Sequence, residues 1–140
     1  MDPQKKANWI VQKQMLDADA FSQWLGIEIL ELKPGFVRLA MKVRADMCNG
    51  FGIVHGGICH ALADSAIAFA SNSLGRKALT IESTMHYYEK ALINDELIVI
   101  THAESVKHRL AVYRVDVMNQ HQKLVSSFKG TVIRTKEEWS

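Results

Sequence analysis

Residues 56–74 read GGICHALADSAIAFASNSL, a run of small and apolar residues opened by two glycines and interrupted by one aspartate, Asp64. Its length fits about five turns at ~3.6 residues per turn, and Gly75 follows as a stop signal. Because the run is small and apolar almost all round, it predicts a helix wrapped by other elements and not one lying on a surface. An ionised carboxylate inside such a helix is costly, so Asp64 must be hydrogen-bonded, paired or protonated.

The flanks of this helix set the fold class. Ahead of it, Ala20, Phe21, Trp24 and Leu25 lie at helical spacing, with Asp17 or Asp19 available as N-cap and Gly26 as terminator. Residues 27–43 predict a hairpin turned at Lys33-Pro34-Gly35. Its second arm places Val37, Leu39, Met41 and Val43 on one face, whereas the first arm alternates less cleanly. After the helix come only strand-like segments, at about 80–88, 96–106, 110–118 and 123–134, joined by short polar turns such as residues 119–122. An α+β fold accounts for this order: one antiparallel β-sheet curled around a long central helix, with an N-terminal helix. The 140 residues suit a single domain, 1–140.

Composition narrows function. Seventeen basic against fifteen acidic residues leave a net charge of +2, too weak to predict a nucleic-acid partner or an anionic membrane surface. No stretch approaches the ~20 apolar residues of a membrane span, and residues 1–6 lack an apolar signal core. Cys48 and Cys59 form neither a C-x-x-C motif nor a secreted-domain framework, so a cytoplasmic location is expected. Local basic clusters at Arg76-Lys77, Lys107-His108-Arg109, Lys129 and Arg134-Thr135-Lys136 are either solvated surface or contacts for a phosphorylated small molecule.

The chemistry concentrates around the central helix. His55-Gly56-Gly57 opens it, and a helix N-terminus presents unpaired N–H groups with partial positive charge, suited to an oxygen that gains negative charge. Glycine lets that oxygen approach the backbone closely. Asp64 is either a structural residue, bonded to Ser83, Thr84, a backbone amide or His60 one turn earlier, or a reacting group. Gly56 and Asp64 are separated by ~12 Å of helix, while a catalytic base must come within ~3 Å of its target or one water away. One helix does not supply both groups to one site, but two antiparallel copies in a homodimer do. His55, His60 and Asp64 lack metal-site spacing, so no metal is expected. Cys59 and Ser65 lack a nucleophile elbow.

Assembled, residues 49–64, NGFGIVHGGICHALAD, resemble the hotdog-fold acyl-CoA thioesterases, in particular the PaaI-like branch of phenylacetate degradation. Residues 25–30 (LGIEIL), 33–36 (KPGF) and 128–131 (FKGT) extend the likeness, which covers a core of about 20–135. The resemblance implies a hotdog fold, sheet-mediated homodimers with shared active sites, and pairing of dimers into a homotetramer. It implies hydrolysis of an aryl- or medium-chain acyl-CoA, such as phenylacetyl-CoA or a hydroxylated relative, without cofactor or metal. Gly56 would polarise the carbonyl and Asp64 of the second copy would activate water or attack directly. Asn49 and His55 would position water and thioester, Gly57 would contact substrate, and Thr80 or Ser83 would assist from the next strand. The acyl group is expected along the apolar dimer groove, with basic residues at its rim meeting the CoA phosphates. A hotdog hydratase or dehydratase, and a noncatalytic acyl-CoA binding module, are the alternative readings. Lys90 and Asn94 depart from the family's pattern in the loop before the 96–106 strand.

Overall fold

The computed structural model describes residues 1–140. Helix α1, Pro3–Asn8, begins where the Asp2 side chain accepts the Gln4 N–H at 2.9 Å, with Pro3 at a first-turn position that needs no N–H partner. The chain runs on through a wider π-helical stretch, Trp9–Met15, and a 3-10 turn, Leu16–Ala18. Helix α2, Ala20–Leu25, then starts afresh: Asp19 caps it through the Ser22 N–H at 3.0 Å, and Gly26 ends it at φ 75°. The N-terminal helix expected from the sequence is thus two α-helices with an irregular connection, although its second cap and its stop fall at Asp19 and Gly26.

Strands β1, Glu28–Lys33, and β2, Phe36–Lys42, form the expected hairpin. Gly35 sits at φ 79°, the left-handed position that the Pro34-Gly35 turn requires. The weak alternation of β1 has a local cause, because the register shifts between Ile29 and Glu31 and leaves one extra residue in the strand. In β2 and just beyond it, Val37, Leu39, Met41 and Val43 are all buried, as their alternation predicts.

Helix α3 spans Gly56–Asn72, followed by β3, Arg76–Tyr87, β4, Glu96–Val106, β5, Leu110–Met118, and β6, Leu124–Glu138. All six strands form one antiparallel sheet in the order β1-β2-β4-β5-β6-β3. The strand that directly follows α3 therefore lies at the far edge, paired with the last strand. The sheet packs around α3, which touches β2 through β6. Gly130 in β6 permits the closest approach, since a Cβ there would fall 2.8 Å from Ile67 Cδ1 and 2.9 Å from Phe128 Cε1. One hydrophobic core joins the inward faces of the sheet to Cys59, Leu62, Ala63, Ala66, Ile67, Phe69 and Ala70 of α3. No helix is long and apolar enough to cross a membrane.

The sheet wraps α3 as expected, but within one protomer one side of the helix stays open. Gly57 and Asp64 are exposed, and with Ala61 and Ala68, both half-buried, they form a stripe at helical spacing that the protomer leaves open. On one flank α2 covers the helix, where the Ser22 and Ser65 hydroxyls meet at 2.8 Å. Small residues fit close packing by any neighbour, whether it comes from the same chain or another, so their pattern alone did not distinguish an enclosed helix from one with an open side.

Candidate active site

Each protomer carries two groups of candidate residues, about two helical turns apart. The first lies at the start of α3. His55 occupies the N-cap position, but its exposed side chain makes no capping bond. Its main-chain N–H donates to the Met47 carbonyl at 3.0 Å, which anchors the loop to the 3-10 turn Ala45–Met47. As the first two residues of the helix, Gly56 and Gly57 have no intrahelical acceptor for their N–H groups, and no other acceptor reaches them. A Cβ on Gly57 would meet nothing within 4 Å, so space beside these donors is open. The arrangement supplies partial positive charge and directed donors for an oxyanion.

Asn49 stands in the preceding loop, which closes on itself through the Asn49 N–H to Ile53 carbonyl bond at 2.8 Å and an antiparallel bridge between Cys48 and Val54. The Asn49 Oδ1 accepts from the Phe51 and Ile53 amides at 2.9 and 3.2 Å. That fixes the side-chain orientation and leaves Nδ2 as a donor with no partner within the chain.

The second group surrounds Asp64. Its carboxylate makes no hydrogen bond or ion pair, although it lies one turn from His60. His60 instead pairs through Nε2 with Ser83 Oγ at 3.2 Å and stands edge-on to Phe128. Of the alternatives open in the sequence, a structural tie from Asp64 to Ser83, Thr84 or His60 is therefore not formed. Partial burial against the helix surface pushes the Asp64 carboxyl above its ordinary value, and the nearby His60 charge offsets part of that rise. An unpaired carboxylate with a raised pKa on an open helix face has the properties of an available base.

The strand β3 contributions depend on a bulge. Thr80 pairs with Val132 and Ser83 with Gly130, and the register shift between Thr80 and Glu82 adds one residue, so both Thr80 and Ser83 face α3. Without it, residues three apart would point to opposite faces. Of the two, Ser83 is the one bonded to the helix turn next to Asp64. Thr80 is half-buried and makes no side-chain hydrogen bond. Glu82 and His86 share the outer face but do not pair: Glu82 accepts from Thr131 at 3.1 Å, and His86 lies against Tyr88.

One residue at the helix start escaped the sequence reading. The Tyr87 hydroxyl donates to the Gly56 carbonyl at 3.0 Å across 31 residues of chain, and a Cβ on Gly56 would come 3.1 to 3.2 Å from its ring. No local pattern reveals such a contact, since Tyr87 reads as one more strand residue.

Most of the basic clusters are engaged at home. Lys77 pairs with Glu137 at 2.7 Å and Lys129 with Glu104 at 3.0 Å, while Arg76 and Arg134 donate to the carbonyls of His108 and Lys107. Lys107, Arg109 and Lys136 form no ion pair.

The thioesterase superfamily model matches residues 51–126, which include the helix start, Asp64 and strands β3 to β5. The chain belongs to this family. A putative esterase of Archaeoglobus fulgidus is 35% identical over 92% of this chain and 84% of its own length. The acyl-coenzyme A thioesterase PaaI of Escherichia coli is 34% identical over 87% of each chain, and the solved structure of E. coli PaaI superposes with a TM-score of 0.93, covering 99% of this chain and 100% of that one. A hypothetical thioesterase protein from Streptococcus pneumoniae, solved with coenzyme A, is 26% identical with a TM-score of 0.78 over 81% of this chain and 88% of its own. The fold is thus the hotdog thioesterase fold that the helix-and-sheet order and the motif both implied.

Proposed function

We propose that this protein hydrolyses acyl-CoA thioesters to the free acid and CoA, at active sites each built from two copies of the chain. The observation that carries this reading is the unpaired Asp64 carboxylate on the open stripe of α3, ~12 Å along an unbroken helix from the unbonded Gly56 and Gly57 amides. Neither group completes a site within the protomer. In a two-fold pair of antiparallel helices, the Gly56 N–H of one copy binds the thioester carbonyl oxygen while Asp64 of the second copy takes a proton from water. The water oxygen bonds to the carbonyl carbon, the Gly56 N–H holds the resulting oxyanion, and collapse breaks the C–S bond. The proton held by Asp64 passes to the leaving sulfur. In this reading Asn49, through its free Nδ2, and His55 hold water and thioester at the helix start, with Gly57 leaving room for substrate. Ser83, through His60, orders the turn that bears Asp64, and Thr80 lies on the same face.

The second copy also has a surface to join. Strand β3 is a 12-residue edge strand with one side unpaired, and Leu79 and Ile81 on it are 66% and 58% exposed. A long unpaired edge with exposed apolar residues is a template for pairing with another strand. Antiparallel β3–β3 pairing would extend the sheet across both copies and bring their helices side by side. The dimer is the smallest active unit in this account, and pairing of dimers into a tetramer leaves each site's composition unchanged. The acyl-CoA named for the E. coli relative, and the coenzyme A bound by the S. pneumoniae relative, support the substrate class. Aryl- and medium-chain esters such as phenylacetyl-CoA are the proposed substrates, with the cytoplasm, where Cys48 and Cys59 stay as free thiols, as the proposed compartment.

Thiol release measured over a panel of acyl-CoA esters, with Asp64→Ala and Asn49→Ala beside the native protein, tests the reading. Loss of a general base predicts a fall of ~100-fold or more in kcat for Asp64→Ala with substrate binding retained. Hydrolysis unchanged in Asp64→Ala contradicts the assignment, and binding of CoA esters without thiol release from any of them identifies a binding module instead.

A further inference from the structure

Beside Gly56 a cavity of about 360 Å³ opens between the start of α3, the end of β3 and the start of β6, lined mainly by Ile53, Val54, Cys59, Tyr87, Ala91 and Val125. Its lining comes from one protomer, and at Gly56 it adjoins the groove expected between two copies. Apart from the free Gly56 N–H, much of its backbone is paired. Val54 N–H bonds the Ala91 carbonyl at 2.8 Å, and the Tyr88 and Glu89 amides both bond the Val125 carbonyl, at 2.8 and 3.2 Å. The walls therefore present hydrocarbon with few unmet polar groups, which suits a guest with no polar groups to satisfy. A pantetheine arm brings two amides and CoA brings phosphates, yet the only charged residues on the lining are one Glu and one Lys, Glu89 and Lys90.

We infer that this cavity receives the acyl group of the thioester, and that Tyr87 sets its size. The inference rests on the thioesterase reading, because it is the carbonyl held at Gly56 N–H that fixes where the acyl chain begins. Tyr87 belongs to both features: its ring is one wall of the cavity, and its hydroxyl ties down the Gly56 carbonyl. Cys59 also lines the cavity, but burial pushes its thiol up to about 11, so it acts as a small apolar wall and not as a nucleophile. The volume is near the lower end of small-molecule sites, ~300–1,000 Å³, so the cavity selects compact groups such as an arylacetyl over long acyl chains.

Two variants that change the volume in opposite senses test this. Ile53→Trp fills the mouth from a half-buried position, and Tyr87→Ala enlarges it. Each is assayed with acetyl-CoA, phenylacetyl-CoA and naphthylacetyl-CoA. Ile53→Trp should lower kcat/KM for phenylacetyl-CoA relative to acetyl-CoA by ~10-fold or more, the scale of pocket discrimination. Tyr87→Ala should raise the naphthylacetyl-to-phenylacetyl ratio, even though loss of the tie to Gly56 lowers turnover for every ester. In an Asp64→Asn background, which does not consume substrate, Ile53→Trp should weaken binding of phenylacetyl-CoA but not of CoA itself. Equal changes across the three esters, or equal weakening of phenylacetyl-CoA and CoA, would overturn the cavity assignment while leaving the thioesterase reading intact. If the native protein releases thiol from no ester, the thioesterase reading fails, and the binding comparison still decides what the cavity holds.

Discussion

Replacing Gly56 by alanine adds one methyl group at the point where oxyanion donor and tyrosine meet. That Cβ would lie 3.1 Å from Tyr87 Cζ and 3.2 Å from its Cε1 and hydroxyl oxygen, inside the usual ~3.5–4.0 Å carbon contact, so the ring must retreat by a few tenths of an ångström. Retreat stretches the 3.0 Å bond from the hydroxyl to the Gly56 carbonyl, worth about 1 kcal/mol. Alanine in place of a helical glycine returns up to about 1 kcal/mol, so stability should change little. The alanine N–H is still present but displaced. Complete loss of an oxyanion donor costs ~10²–10³ in kcat, so partial misalignment should cost ~10- to 100-fold, with KM less affected. The assay is thiol release and thermal melting of Gly56→Ala, Tyr87→Ala and the double variant. Because Tyr87→Ala removes the crowding, the alanine at 56 should cost less in that background. An equal cost in both backgrounds, or native turnover in Gly56→Ala, would rule out crowding by Tyr87 as the cause. Gly57→Ala is the control, since its methyl meets nothing in the protomer: the melting temperature should not fall, and a drop in activity would show that substrate or a second copy approaches there.

Three further outcomes follow from the titrating groups. Asp64→Asn should lower kcat by ~100-fold or more and raise the melting temperature at pH 7, because burial disfavours the ionised carboxyl. The folded-state pKa is raised, so the native protein gains this stability only in acid and loses it as pH rises through the shifted pKa. The advantage of Asp64→Asn should therefore vanish at pH values below the ordinary 3.8. The acid limb of the native kcat/KM profile should lie above that same value, and His60→Ala should move it higher still, since His60 lowers the Asp64 pKa; a limb that moves down would contradict the pairing of charges. With a thiol reagent at pH 8, half-buried Cys48 should react in the native protein, while Cys59, pushed up to about 11 and ~99.9% protonated, should react only on unfolding.

Legibility in the sequence followed the range of the interactions. The strand β2 alternation, the Pro34-Gly35 turn, the Asp19 cap and the Gly26 stop are local devices, and each falls where the residues put it. The Asp2-Pro3 start of α1 is an equally local signal, whereas the π-helical stretch after it has no local marker. The irregularity of β1 was visible as poor alternation, but its meaning as a bulge needed the partner strand. Likewise β3 was legible as a strand, while its edge position depends on pairing with β6 across some fifty residues. The helix-start glycines and Asp64 stood out as candidate chemistry because a carboxylate among alanines is costly. The Tyr87 contact to Gly56 and the His60 contact to Ser83 did not stand out, since both arise only when β3 folds back along α3.

The shared site is tested most directly by mixing two inactive proteins. Asp64→Ala supplies an intact helix start, and Gly56→Pro, with proline tolerated at the first helical position but lacking the N–H, supplies an intact carboxylate. After co-refolding in equal amounts, each mixed dimer has one complete site and one doubly defective site. Half of the dimers are mixed, so activity should recover to about a quarter of native if the two variants assemble at random. Recovery no greater than the sum of the two separate variants would place Gly56 and Asp64 in the same chain's site, or outside the reaction, and would contradict the account.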